Sequence, residues 1–173
     1  RDAAAIAHHY DVSNRFYRLV LGPSMTYSCA LFADPAATLE EAQEAKHELV
    51  AQKLRLREGM RFLDVGCAWG SMLIHAAERY GVTGIGVTIS RRQAELARAR
   101  VLEAGLADRI EIRRADYRDV ADGSYDAISS IGMFEHVGAA RMAEYFRTLR
   151  GLLGPRGRFL NHAISSVRGS TIG

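Results

Sequence analysis

The sequence predicts an α/β domain built on one mostly parallel sheet with helices on both faces. Three observations carry that expectation. From Met60 onward, short apolar runs suited to buried strands take turns with segments of helical period. The first of those runs ends in a glycine-rich turn, Asp64-Val65-Gly66-Cys67-Ala68-Trp69-Gly70, which opens the next helix. Helix-start patterns recur after loops, at Thr38-Leu39-Glu40-Glu41 and at Ser90 followed by Gln93.

Taken in order, residues 1–37 combine short helical patterns, aromatics and the Gly22-Pro23 breaker, and read as a helical lid ahead of a core spanning 38–173. A threonine hydroxyl and a glutamate three positions later can satisfy each other's orphan amides, so Thr38 is expected to start a helix reaching about Leu54. Leu39, Ala42, Leu49 and Val50 would form its apolar face. Strands are expected at Arg61 to Val65, Val82 to Thr88, Ile110 to Arg113, Tyr125 to Ile131 and Arg158 to Ile164. Helices are expected from Ser71 to Tyr80, after Ser90, and from Arg141 to Leu153, the last closed by Gly154-Pro155.

Composition narrows the classes. The chain of 173 residues is 48% hydrophobic and 25% charged, ordinary for one globular core. No apolar run approaches the roughly 20 residues needed to cross a bilayer, and no signal-peptide pattern is present, so the expected compartment is the cytoplasm. Cys29 and Cys67 match no metal or disulfide spacing, and no metal site is expected. A net charge of +3, spread along the chain on arginines with only two lysines, mildly favours anionic partners such as phospholipid head groups.

An open parallel sheet binds ligands at the carboxyl ends of its strands, where strand order reverses. The Asp64 to Gly70 turn places backbone amides and the positive end of a helix at that edge, which suits a nucleotide-like group. A dinucleotide fingerprint would require glycine at positions 68 and 71, which are Ala68 and Ser71, so a pyrophosphate site is disfavoured. The second strand ends on Thr88 instead of an acid. Thr88 and Gln93 can nevertheless offer donor and acceptor to a ribose diol.

The spacing of acid, Gly66 and Gly70 looks like the first motif of class I S-adenosylmethionine-dependent methyltransferases, with their Rossmann-like fold. Further blocks sharpen the likeness: His9-Tyr10-Asp11-Val12-Ser13-Asn14 with Phe16-Tyr17, Met25-Thr26-Tyr27-Ser28-Cys29-Ala30, Gly86-Val87-Thr88-Ile89-Ser90, and Ile131-Gly132-Met133-Phe134-Glu135-His136-Val137-Gly138. Together they closely resemble the cyclopropane-fatty-acid and mycolic-acid cyclopropane synthases.

That resemblance implies S-adenosylmethionine as cofactor. Tyr27 and Ser28 would lie at its methionine end, Asp64, Gly66, Ala68 and Gly70 around its turn, Thr88 and Gln93 on the ribose, and Asp116 and Tyr117 near the adenine. It also implies a bicarbonate ion acting as base, held by the Cys29 region, Ile131, Glu135 and His162. Ala68 stands where the family typically has glycine, and Asp116-Tyr117 where it more often has Gly-Trp. The family's tyrosine ligand for the ion and its late cysteine fall in a carboxyl-terminal region, so the sheet is expected to be cut short after its fifth strand.

The implied reaction transfers a methyl or methylene group to the cis double bond of an unsaturated phospholipid acyl chain through a carbocation. Such a cation needs a dry, aromatic-lined site, for which Tyr10, Phe16, Tyr17, Tyr27 and Phe134 are candidates. Glu135, just past an apolar strand, is expected to be buried and therefore functional. The product is either a cyclopropane or a methylene branch, the latter serving a reductase partner. Peripheral contact with the anionic inner membrane face and a homodimer are compatible with the resemblance, and no nucleic-acid partner is expected. Two other readings stay open: a methyltransferase acting on a heteroatom of a small molecule, and a cofactor-binding remnant without catalysis.

Overall fold

The computed structural model describes residues 14–164. Its elements run α1 (Asn14–Leu21), α2 (Leu39–Leu54), β1 (Arg61–Val65), α3 (Ser71–Tyr80), β2 (Thr83–Thr88), α4 (Arg91–Glu103), β3 (Ile110–Arg114), β4 (Tyr125–Ile131), α5 (Met142–Leu152) and β5 (Leu153–His162). Single 3-10 turns at Tyr117–Asp119, Phe134–His136 and Ala139–Arg141 connect them. The five strands form one sheet in the order β3-β2-β1-β4-β5, and every neighbouring pair is parallel.

The expected elements form where the local chemistry says they should. Thr38 closes a full capping box, accepting from the Glu41 amide while the Glu41 carboxylate accepts from the Thr38 amide. Ser90 accepts from the Gln93 amide and so starts α4. The largest departure from the expected boundaries lies between α5 and β5. α5 stops at Leu152, and β5 begins at once with Leu153 beside Tyr125, then bulges before Arg158 resumes regular pairing with Ala127. Gly154 and Pro155 thus serve a bulge on an edge strand, where a missing amide costs no ladder bond.

Alternation along β1 sorts the core onto both sheet faces. Phe62 packs with Leu73, Ala76, Ala94, Val101 and Ile112 under α2, α3 and α4, whereas Leu63 and Val65 pack with Ile128, Tyr145 and Leu149 under α5. Burying each of the larger of these, Phe62, Leu63, Val65, Leu73, Val101, Ile112, Ile128 and Leu149, stabilises the fold by about 1.5–3 kcal/mol. α3 lies so close to β2 that a Cβ at Gly86 would sit 2.5 Å from Leu73 Cδ1 and 2.8 Å from Cys67 Sγ. Only glycine permits that approach.

α2 departs from its expected pattern. Leu39 is exposed, while Gln43, Lys46 and His47 are buried beside Ala42, Val50, Ala51 and Leu54. The His47 ring lies 5.7 Å from that of His75 on α3, and Glu48 meets His75 Nε2 at 3.3 Å and accepts from the Tyr80 hydroxyl at 2.5 Å. Burial first, then the positive charges of Lys46, His75 and Arg100, push His47 down to about 3 from 6.5.

Between 6.5 and about 3 the unfolded chain binds a proton at His47 that the folded chain refuses, so this residue's contribution to stability falls as pH falls through that window. Asp64, raised to about 6 from 3.8 mainly by burial, acts with the opposite sign, so the informative quantity is a difference between variants. His47→Gln is expected to make the slope of unfolding free energy against pH less positive than in the wild type across the window, measured by denaturant titration. An unchanged slope would place the acid sensitivity elsewhere.

Candidate active site

Strand order reverses at β1, which feeds β2 on one side and receives β4 on the other. Such a switch point leaves a crevice beyond the strand ends. Here it is a cleft of about 420 Å³, within the roughly 300–1,000 Å³ usual for small ligands. Its walls include Tyr27, Gly66, Ala68, Thr88, Gln93, Asp116, Tyr117 and Ile131, eight of the residues singled out from sequence.

The turn after β1 is shaped by left-handed backbone, with φ of 78° at Gly66, 46° at Ala68 and 82° at Gly70. The Gly66 and Cys67 amides both donate to the Val87 carbonyl at 3.0 Å, locking the turn to β2. Beneath it Asp64 is buried and accepts from Ser129 Oγ at 2.6 Å, so its carboxyl supports the turn from inside the sheet. At the end of β2, Thr88 Oγ1 donates to Gln93 Oε1 at 2.7 Å, making one polar unit on the cleft wall. Asp116 is held by Arg118, which donates from its backbone amide at 2.9 Å and from Nη2 at 2.7 Å, and this pairing keeps the Asp116 carboxyl below the usual carboxylate range. Arg118 also stacks its guanidinium 5.9 Å from the Tyr117 ring centre.

Of the residues expected to hold the ion, only Ile131 lines that cleft. Cys29 and His162 line a second one of about 610 Å³ between α2 and β5, together with Lys46, Lys53, Arg158 and Asn161. His162 Nδ1 is buried there with no partner among the described residues. Ile131 faces the first cleft instead. Glu135 is exposed, contrary to the expected burial, because the chain leaves the sheet after Ile131 and Glu135 sits in the 3-10 turn that follows. Its carboxylate accepts from the backbone amide of Ile164 at 2.7 Å. Desolvation therefore gives Glu135 no claim to function; only its position does.

The aromatic candidates separate as well. Tyr27 lines the first cleft, and Tyr17 backs it, its ring 4.8 Å from Trp69 and 5.7 Å from Tyr27. Phe134 packs 5.7 Å from Tyr145 in the core, Phe16 is on the surface, and Tyr10 lies outside the described residues.

Several residues with a part in the site escaped the sequence reading. Arg100 of α4 donates to the Trp69 carbonyl at 2.6 Å, to Ser71 Oγ at 2.9 Å and to the Ser24 carbonyl at 3.3 Å, tying the segment after α1 to the glycine turn. Ile164 reaches Glu135 only through the fold. Lys46 and Gln43 carried a readable signal, since they fall at helical spacing within the apolar stripe of α2.

Left-handed φ costs a residue with a Cβ about 1–2 kcal/mol, while glycine carries an entropic penalty of roughly 0.5–1 kcal/mol. Ala68→Gly is therefore expected to raise stability by about 0–1 kcal/mol in urea unfolding. A loss of more than about 1 kcal/mol would mean that the Ala68 methyl packs favourably.

Residues 1–172 match the family model described as mycolic acid cyclopropane synthetase. A probable fatty acid methyltransferase of Mycobacterium tuberculosis is 53% identical over 95% of this chain and 38% of its own length. The cyclopropane-fatty-acyl-phospholipid synthase of Escherichia coli K12 is 44% identical over 92% of this chain and 40% of its own. Among solved structures, mycolic acid cyclopropane synthase CmaA1 complexed with SAH and CTAB superposes with a TM-score of 0.87 at 40% identity, covering 92% of this chain and 55% of that one. The chain thus spans about half or less of the length of the relatives it matches. With its parallel five-stranded sheet and its turn at the switch point, it has the class I S-adenosylmethionine-dependent methyltransferase fold and belongs to the mycolic acid cyclopropane synthetase family.

Proposed function

We propose that the protein carrying this chain transfers a one-carbon unit from S-adenosylmethionine to the cis double bond of an unsaturated phospholipid acyl chain. The observation that carries the reading is the cleft at the β1/β4 switch point, which gathers Tyr27, the Gly66 to Gly70 turn, the Thr88–Gln93 pair and Tyr117 around a volume suited to one small ligand. Its inventory fits the cofactor. Thr88 and Gln93 offer a hydroxyl and an amide to a ribose diol, Tyr117 offers a flat face to a base, and the turn at the start of α3 presents a positive helix end. Bound S-adenosylmethionine would supply an electrophilic sulfonium methyl.

The chain's own residues orient and shield. The Thr26 to Cys29 segment passes from the first cleft, at Tyr27, to the second, at Cys29, and its aromatic wall suits a substrate that becomes cationic. In this reading residues 1–37 serve as the lid over the core. A bicarbonate ion, as a base that does not trap a carbocation, would be held by the Cys29 region, Ile131, Glu135 and His162, of which Cys29 and His162 line one cleft. The unpartnered His162 Nδ1 supports a polar ligand there. Peripheral contact with an anionic membrane surface is supported by the substrate and by the cations Lys53 and Arg158 at the second cleft. No described helix is long and apolar enough to cross a membrane.

The direct test is incubation of the full-length protein with labelled S-adenosylmethionine and vesicles of an unsaturated phospholipid, followed by NMR and mass spectrometry of the acyl chains. A cyclopropane or a methylene branch is expected, and NMR tells the two apart. Glu135→Gln should lower turnover by roughly a hundredfold to ten-thousandfold while leaving S-adenosylhomocysteine binding nearly unchanged. Near wild-type turnover in both Glu135→Gln and His162→Ala would remove the ion site from this position, and a wild type that leaves the acyl chains unmodified would favour transfer to a heteroatom.

A further inference from the structure

Lys46 is an unusual residue to bury. It is 5% exposed on the inner face of α2, and burial pushes its ammonium down to about 8 although the negative charge of Asp64 pulls the other way. Asp64 takes its own hydrogen bond from Ser129 at 2.6 Å, so it attracts Lys46 through space without holding it. What Lys46 does hold is Ser28: its Nζ donates to Ser28 Oγ at 2.8 Å. One turn earlier on the same face, Gln43 Nε2 donates to the Ser28 carbonyl at 2.9 Å and to the Thr26 carbonyl at 3.4 Å. The loop's backbone and its serine hydroxyl are thus gripped by neighbouring side chains of a single helix.

The polarity of the grip matters. An ammonium has three donors and no acceptor, so Ser28 Oγ must accept from Lys46. The hydroxyl's single proton is then left for another partner. Ser28 Cβ lies 3.9 Å from where a Cβ on Gly132 would stand, and Gly132 and the adjacent Tyr27 both line the first cleft. Ser28 thus adjoins two residues of that cleft's wall, one in sequence and one in space.

We infer that Lys46 is a positioning residue which, by donating to Ser28 from below, makes the Ser28 hydroxyl an obligate donor toward the carboxylate of the cofactor's amino-acid end. The inference rests on the assignment of the first cleft to S-adenosylmethionine. A carboxylate is acceptor-only at neutral pH, so a serine committed to donating discriminates in its favour, and the buried positive charge behind it adds attraction in a medium that screens poorly.

The test uses two ligands on the full-length protein. S-Adenosylhomocysteine carries the amino-acid end; 5′-methylthioadenosine keeps the nucleoside and sulfur and lacks it. Affinities for both are measured by calorimetry, the weaker by competition, for the wild type, Lys46→Met and Ser28→Ala, with thermal unfolding to confirm that each variant folds. Lys46→Met is expected to weaken S-adenosylhomocysteine roughly tenfold to a hundredfold and 5′-methylthioadenosine less than about twofold. Ser28→Ala should show the same selectivity, and it carries the test alone if Lys46→Met fails to fold. Combining the substitutions should cost little more than either one, because both remove one donor. Equal loss for the two ligands would mark a merely structural lysine and overturn the inference, as would unchanged S-adenosylhomocysteine binding. A wild type that binds neither ligand would overturn the cleft assignment itself.

Discussion

The chain must reverse sharply at the end of β1 so that α3 can run back over the sheet, and the position of every candidate site residue depends on that turn. Gly66 and Gly70 adopt φ of 78° and 82°, and Ala68 joins them at 46°. α3 then presses on β2 closely enough that Gly84 and Gly86 have no room for a side chain beside Leu73. Those two requirements, left-handed backbone at the turn and bare backbone under the helix, bring α3's amino end to the carboxyl edge of the sheet. With β4 on the other side of β1, a cleft opens between them.

Around that cleft the polar groups are satisfied chiefly by one another. Thr88 binds Gln93, Asp116 binds Arg118, Asp64 binds Ser129, and Arg100 binds the Trp69 carbonyl and Ser71. Each contact joins two elements or the two ends of one loop, so the walls are set before a ligand arrives. Such preorganisation lowers the entropy that binding must otherwise spend. Arg100 also extends the arrangement to Ser24, so the segment leading to Tyr27 is fastened to the glycine turn.

α2 shows why a helix can mislead a reader of sequence. Its capping box was legible in Thr38 and Glu41, yet its inner face is partly polar, with Gln43, Lys46 and His47 buried beside Val50 and Leu54. Helical periodicity located the face. What it could not supply was a partner for a charged residue on it, since Ser28 is distant in sequence and meets Lys46 only when the Thr26 to Cys29 loop crosses over α2. The same limit explains Glu135: the apolar run before it suggested burial, but the run ends at Ile131 and the following turns carry the carboxylate to the surface.

Local chemistry by itself determined the order and kind of the elements, the parallel sheet, both helix caps and the turn after β1, because strands, caps and glycine turns depend on side chains a few positions apart. The family resemblance carried by the sequence blocks placed Tyr27, Gly66, Ala68, Thr88, Gln93, Asp116, Tyr117 and Ile131 among the site candidates, and the fold gathers these eight around one cleft. Only the tertiary structure decided that Cys29 and His162 face a different cleft, that Ile131 does not join them, and that Ile164 supplies the amide that reaches Glu135. Those relations join residues on separate strands and loops, and their distances follow from strand order and helix packing, which no local pattern encodes.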